Sequence, residues 1–216
     1  ESKVNDLIQS YKLRLKHFPG KTKEGDVVAD IAKLKYENGI GTKQEQFNAF
    51  DEAFTKYEED FTSPKALYAY FSLAVDLYDE GNKDIQEVFD LYDAVTAKIE
   101  KEENLLAETL TGYMDKQDAG TKLSSKEEKY MSAYENNLKA YGQVKGSVNG
   151  KLGILADCDN LIPLYEKDFE NKKDDVNWLK RAAGRLSAKD CDTPLFFKLV
   201  QQLHTLEPSA KSAYYL

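Results

Sequence analysis

Asp157-Cys158-Asp159 and Asp190-Cys191-Asp192 are the two stretches of this chain whose residue types and spacing could do chemistry. Cys158 and Cys191 are its two cysteines and stand at matching points of neighbouring helical segments. One reading is a disulfide that clamps those segments together, which implies an oxidising compartment. The other is that each cysteine fills a small slot at a turn while the aspartates cap the helix that follows. Packed helices lie roughly 8–10 Å apart, whereas a disulfide needs its Cα atoms within about 7 Å, so exact stacking of equivalent positions disfavours the bond. Two cysteines make no zinc site.

Other chemistry is sparse. The two histidines, His17 and His204, have no ligand partner at helical spacing. The chain has no His-Glu-x-x-His, Glu-x-x-His or Gly-x-Ser-x-Gly motif, and no glycine loop of the phosphate-cradling kind. Its 38 acidic side chains always offer carboxylate pairs, but in an acidic helical chain such pairs form a solvated face. The expectation is a non-catalytic protein with no metal and no cofactor.

The bulk properties limit the partners. The net charge is −8 and its acid excess sits in residues 1–120, while residues 121–216 are close to balanced. An acidic surface repels phosphate backbones, so nucleic acid is not an expected partner. No apolar run approaches the roughly 18 residues that a membrane span needs. With 41% hydrophobic and 12% aromatic residues, the 216-residue chain can bury a substantial core.

The elements that must position these residues are helical and repeated. Apolar residues at 27, 28, 31 and 34 mark one helix face, closed by Asn38-Gly39-Ile40-Gly41. Phe47, Phe50, Phe54, Tyr57 and Phe61 form the stripe of a second helix over 44–61, and Thr62-Ser63-Pro64 stops it and starts the next. A shift of 42 residues then superposes Gln44-Glu45-Gln46-Phe47 on Gln86-Glu87-Val88-Phe89, Ala32 on Ala74, Tyr36 on Tyr78, Gly39 on Gly81 and Asp51 on Asp93. Repeats of this size mean a solenoid.

Tyr70, Leu73, Ala74, Tyr78 and Gly81, with Val28, Ile31, Ala32, Tyr36 and Gly39 before them, resemble the first-helix pattern of the tetratricopeptide repeat. The period is longer than that family's 34 residues, and Phe47 and Phe89 stand where its second helix carries a small residue. Leu152-Gly153 with Tyr165 and Phe169 looks like a third pair. A fourth is suggested by Leu179, Ala182, Ala183 and Leu186 followed by Thr193-Pro194, Phe196, Leu199 and Val200. The resemblance implies an all-α, right-handed α-α superhelix, interrupted by one elongated antiparallel hairpin. It sets one domain over 1–216, with a partial repeat at 1–20 and repeats near 24–61, 64–100, 143–172 and 176–207. The hairpin spans about 100–142, and a further repeat begins at 209–216, as in an excised piece of a longer array.

The hairpin rests on apolar residues that continue from Val88 to Tyr113 and resume at Met131, Tyr134, Leu138 and Tyr141, with a capping box at Ser125 and Glu128. Gly142, Gly146 and Gly150 fall four apart, which fits either a smooth helix face admitting a neighbouring backbone or a flexible loop.

In tetratricopeptide proteins the ligand usually lies in the groove lined by the first helices. The resemblance therefore nominates Lys33 and Tyr36, then Tyr68, Phe71, Val75 and Tyr78, then Trp178, Arg181 and Arg185. Inter-repeat packing is the competing reading for the aromatics, and a solvated face for the arginines. The family's carboxylate-clamp pattern of lysine and asparagine is not reproduced. The expected function is a scaffold or protein-interaction module with a protein or peptide partner. The alternative is a small-molecule or glycan-binding accessory protein at a bacterial cell surface. Paired cysteines and resemblance to exported bacterial repeat proteins lean the location outside the cytoplasm.

Overall fold

The computed structural model describes residues 2–18, 20 and 23–208. The described residues form helices and no strand: α1 (Ser2–His17), α2 (Glu24–Glu37), α3 (Lys43–Lys56), α4 (Pro64–Asp79), α5 (Ile85–Asp118), α6 (Ser125–Leu155), α7 (Cys158–Lys172), α8 (Val176–Ser187) and α9 (Pro194–Leu206). The further repeat expected at 209–216 lies outside them. The chain divides into two compact units, Glu1–Lys151 and Leu152–Leu216.

In the first unit the repeat of 42 is a repeat of helix terminations. Gly39 and Gly81 both take positive φ, at 64° and 72°, just after α2 and α4, where a residue with a Cβ would be strained. Thr42 and Asp84 then cap α3 and α5, each in a reciprocal capping box with the glutamate three residues on, Glu45 and Glu87. The glutamate of the recurring Gln-Glu pair is thus a helix-start device. Phe47 and Phe89 behind it are buried.

Aromatic packing holds α3 and α4 together. Tyr70 is 1% exposed and lies 5.2 Å from Phe47, 5.7 Å from Phe50 and 5.6 Å from Phe54, ring centre to ring centre. Its hydroxyl, taken out of water, donates to Asp51 at 2.6 Å. The second helix stops at Lys56 and not at Phe61, because the chain turns over Tyr57–Asp60. Phe61 still reaches the cluster from that turn, edge-on to Phe54 at 5.7 Å. Asp26 at the start of α2 holds the far side of the turn, accepting from Thr62 N, Thr62 Oγ1 and Ser63 N at 2.6, 2.8 and 2.6 Å.

The hairpin is longer than its sequence signal. Tyr92 bonds Asn149, Glu100 and Glu103 pair with Lys145, Tyr113 stacks on Tyr134 and Lys116 pairs with Glu127. Rising numbers on α5 meet falling numbers on α6, so the two helices run antiparallel. The capping box of α6 is Ser124 with Glu127, one residue earlier than its sequence pattern suggests. Gly142, Gly146 and Gly150 lie inside α6, and a Cβ at any of them would meet nothing within 4 Å. The backbone approach that would explain them is therefore absent at this face, and nothing in the structure explains them.

The second unit packs α7, α8 and α9 on one another. Cys158 and Cys191 form a disulfide with Cα atoms 5.7 Å apart. The argument from helix spacing fails because neither cysteine sits mid-helix: Cys158 opens α7 and Cys191 lies in the connection between α8 and α9. Capping holds for Asp157, which receives Asn160 N at 2.9 Å, while α9 is capped by Thr193.

Candidate ligand-binding pocket

One face of the first unit carries an open-mouthed cavity of about 360 Å³, within the size range of small-ligand sites. Helix α2 supplies Lys33, Tyr36 and Glu37, α4 supplies Lys65, Tyr68, Ala69 and Ser72, and α6 supplies Val144 and Lys151. Residues 65, 68, 69 and 72 are one stripe of a helix, as are 33, 36 and 37. Two consecutive first helices and the returning arm of the hairpin thus bring three ammonium groups and two phenols to one opening.

Few of these groups are committed elsewhere. Tyr36 is: its hydroxyl donates to Asp76 Oδ2 at 2.7 Å, and burial followed by that bond pushes its phenol above the usual tyrosine range. Lys33 reaches Glu37 at 3.3 Å within α2, and Lys151 reaches Asp76 Oδ1 at 3.7 Å. Partly exposed pairs at such distances contribute about 0–1 kcal/mol, so either ammonium can turn to a ligand at small cost. Lys65 makes no ion pair among the described residues, and the Tyr68 hydroxyl has no partner among them.

Ser72 is the exception to satisfied burial. It is 4% exposed, and its Oγ is the buried side-chain oxygen without a hydrogen-bond partner among the described residues. Such a hydroxyl costs about 1–3 kcal/mol, and an orphan of this kind on a cavity wall asks for a partner that the chain does not supply.

The nominated groove residues fall into three groups. Lys33, Tyr36 and Tyr68 meet in the pocket. Phe71 and Val75 do not: they are 0% and 7% exposed, and Phe71 packs edge-on to Tyr92 of α5 at 5.9 Å. Tyr78 is half-buried and lies outside the lining. In the second unit Trp178 is 6% exposed, edge-on to Tyr165 at 5.9 Å, so it is core and not a platform. Arg185 donates to the Tyr165 hydroxyl at 3.2 Å, and Arg181 is exposed on the same helix. A core stripe with a free face opposite does not describe α4, which α2, α3 and α5 all contact. Its free stripe is therefore narrow and turned by about one residue, toward Lys65 and Ser72. Those two, with Lys151, were missed.

Comparison of the chain with protein-family models, with curated proteins and with solved structures finds no match. Among the described residues no helix is long and apolar enough to cross a membrane.

Proposed function

We propose that the chain is a non-catalytic protein-interaction module of tetratricopeptide type, and that the face formed by α2, α4 and α6 receives a polypeptide segment of a partner. The observation that carries this reading is the convergence of Lys33, Lys65, Lys151, Tyr36 and Tyr68 from three helices on one open cavity. Tyrosine and lysine stems give apolar contact with a polar tip, the composition that suits a peptide backbone and its side chains. Support for a right-handed helical-repeat superhelix comes from the matched turn glycines, matched capping boxes and matched aromatic positions 42 residues apart. The disulfide suits an oxidising compartment.

The test is selection of a displayed random-peptide library against the chain. Selected peptides should lose at least tenfold in affinity with Tyr68→Ala and keep it with Asn48→Ala, an exposed position on α3. Peptides indifferent to Tyr68→Ala would sink the proposal.

A further inference from the structure

We propose that the Cys158–Cys191 disulfide of the second unit is charge-gated: the aspartates on either side of each cysteine slow its opening by anionic thiols and spare thiols that carry an ammonium group. The inference concerns a reaction of the second unit and stands apart from the interaction-module reading of the first.

Access sets the point of attack. Cys191 is 4% exposed, whereas Cys158 is half-buried at the start of α7, so an incoming thiol meets Cys158 Sγ. Its thiolate attacks Cys158 Sγ and forms a mixed disulfide, and the electron pair of the broken S–S bond leaves on Cys191 Sγ. A second thiolate attacks the reagent's own sulfur in that mixed disulfide, which frees Cys158 and carries the reagent off as its oxidised dimer. Each cysteine sulfur then takes a proton from solvent. Both steps bring negative charge to one place or release it there.

The surroundings are already negative. Asp157, Asp159, Asp190 and Asp192 are exposed, and none makes an ion pair among the described residues. The disulfide brings the two Asp-Cys-Asp stretches together, with the cysteine Cα atoms 5.7 Å apart. As chain neighbours of the cysteines, the four carboxylates stay within about 10 Å of the sulfurs, on the order of one Debye length at 0.1 M salt. The Lys189 carbonyl adds the negative end of its dipole, its oxygen 3.7 Å from Cys158 Sγ and 3.8 Å from Cys191 Sγ. Two features oppose this field. The N-terminus of α7 is one, and Asp157 already caps it. The other is the Lys189 ammonium, which donates to Gly153 O at 2.8 Å. One ammonium against four carboxylates leaves the field negative, so an approaching anion is repelled and an ammonium is attracted.

The experiment uses the intact chain and three thiols: cysteamine, whose thiolate form has no net charge, 2-mercaptoethanol, whose thiolate has one negative charge, and 2-mercaptoethanesulfonate, whose thiolate has two. Rate constants per thiolate are read by alkylation and mass spectrometry at about 0.1 M ionic strength. Each is divided by the rate constant of the same thiol on neutral 2-hydroxyethyl disulfide, which removes differences in intrinsic nucleophilicity. Cysteamine should exceed mercaptoethanesulfonate at least about fivefold, with mercaptoethanol between them. The gap should fall below about twofold at 1 M salt, where the Debye length is about 3 Å. Asp157→Asn, Asp159→Asn, Asp190→Asn and Asp192→Asn together should close it at the lower salt. Asparagine can still cap α7 at 157 and tolerates the φ of 52° at 190, so this variant keeps the local geometry. Asp159→Asn alone should narrow the gap, and Asp174→Asn, beyond the far end of α7 and roughly 20 Å along it, should not. That pair separates a local field from the net charge of −8. Equal normalised rates, a gap that survives high salt or the fourfold variant, or equal effects of Asp159→Asn and Asp174→Asn would each overturn the proposal. So would a rate independent of thiol concentration, because the bond would then open only after the unit unfolds.

Discussion

Gly25 shows how a single atom can decide packing at the residue scale. It opens α2, and a Cβ there would stand 2.8 Å from Phe61 N, 2.9 Å from the Asp60 carbonyl carbon and 2.9 Å from Tyr57 Cβ. Two of those neighbours are backbone of the turn that Asp26 holds, so they cannot swing aside. Replacing a helical glycine by alanine ordinarily gains up to about 1 kcal/mol, but overpacking costs about 1–3 kcal/mol, and here the second effect wins. Gly25→Ala should therefore lower stability by about 1–3 kcal/mol in urea denaturation. Gly112→Ala, with nothing within 4 Å of its Cβ, should leave stability unchanged or raise it by up to about 1 kcal/mol. If both changes proved neutral, the close approach at Gly25 would be wrong. Neither outcome is legible in the sequence, because only the packing of the α3–α4 turn against α2 distinguishes Gly25 from Gly112.

At the scale of elements, helix starts and stops are the legible part. Gly39, Gly81 and Pro64 announce their roles by type, and the stripes of Phe47 and Phe89 announce which side is buried. Reach is harder to read: α6 continues through three glycines to Leu155, since nothing local forces an exposed helix to end at a glycine. The site was half legible for a related reason. Lys33, Tyr36 and Tyr68 were nominated by the groove that the family resemblance implies, but Phe71 and Val75, nominated with them, are covered by tertiary neighbours that local periodicity does not reveal. The hairpin tip makes an element-scale prediction. The hydrogen bond from Lys116, with those from the Ser124 backbone and hydroxyl, lowers Glu127 from its ordinary 4.5 to about 2. A carboxylate depressed by folding contributes stability above its unfolded value and loses it as pH falls toward the folded one. The tip should therefore loosen between pH 4.5 and about 2. Hydrogen exchange of the amides around 118–127 should show that loosening, and Glu127→Gln should remove the pH dependence. An unchanged exchange profile in the variant would contradict the assignment.

At the scale of the whole molecule, the second unit is small and carries the disulfide. The bond joins residues 33 apart, and a loop of that size restrains the unfolded chain by about 3–4 kcal/mol in the entropy model. Trp178, the sole tryptophan, is buried in this unit against Tyr165 and reports on it. Reduction, or Cys158→Ser, should lower the unfolding free energy read from the tryptophan fluorescence transition in urea by about 3–4 kcal/mol, with a lower midpoint, and the two treatments should not add. An unmoved midpoint would mean that the bond restrains nothing. The central claim concerns the first unit: that its α2–α4–α6 face is where a partner polypeptide sits. Photo-crosslinking in cells of the source organism tests it most directly, with a photoreactive amino acid placed at position 68 and, as control, at exposed position 48 of α3. The account predicts adducts to a discrete polypeptide from position 68 that Lys65→Gln and Lys151→Gln diminish, and none from position 48. Adducts formed equally from both positions, or from position 48 alone, would contradict it.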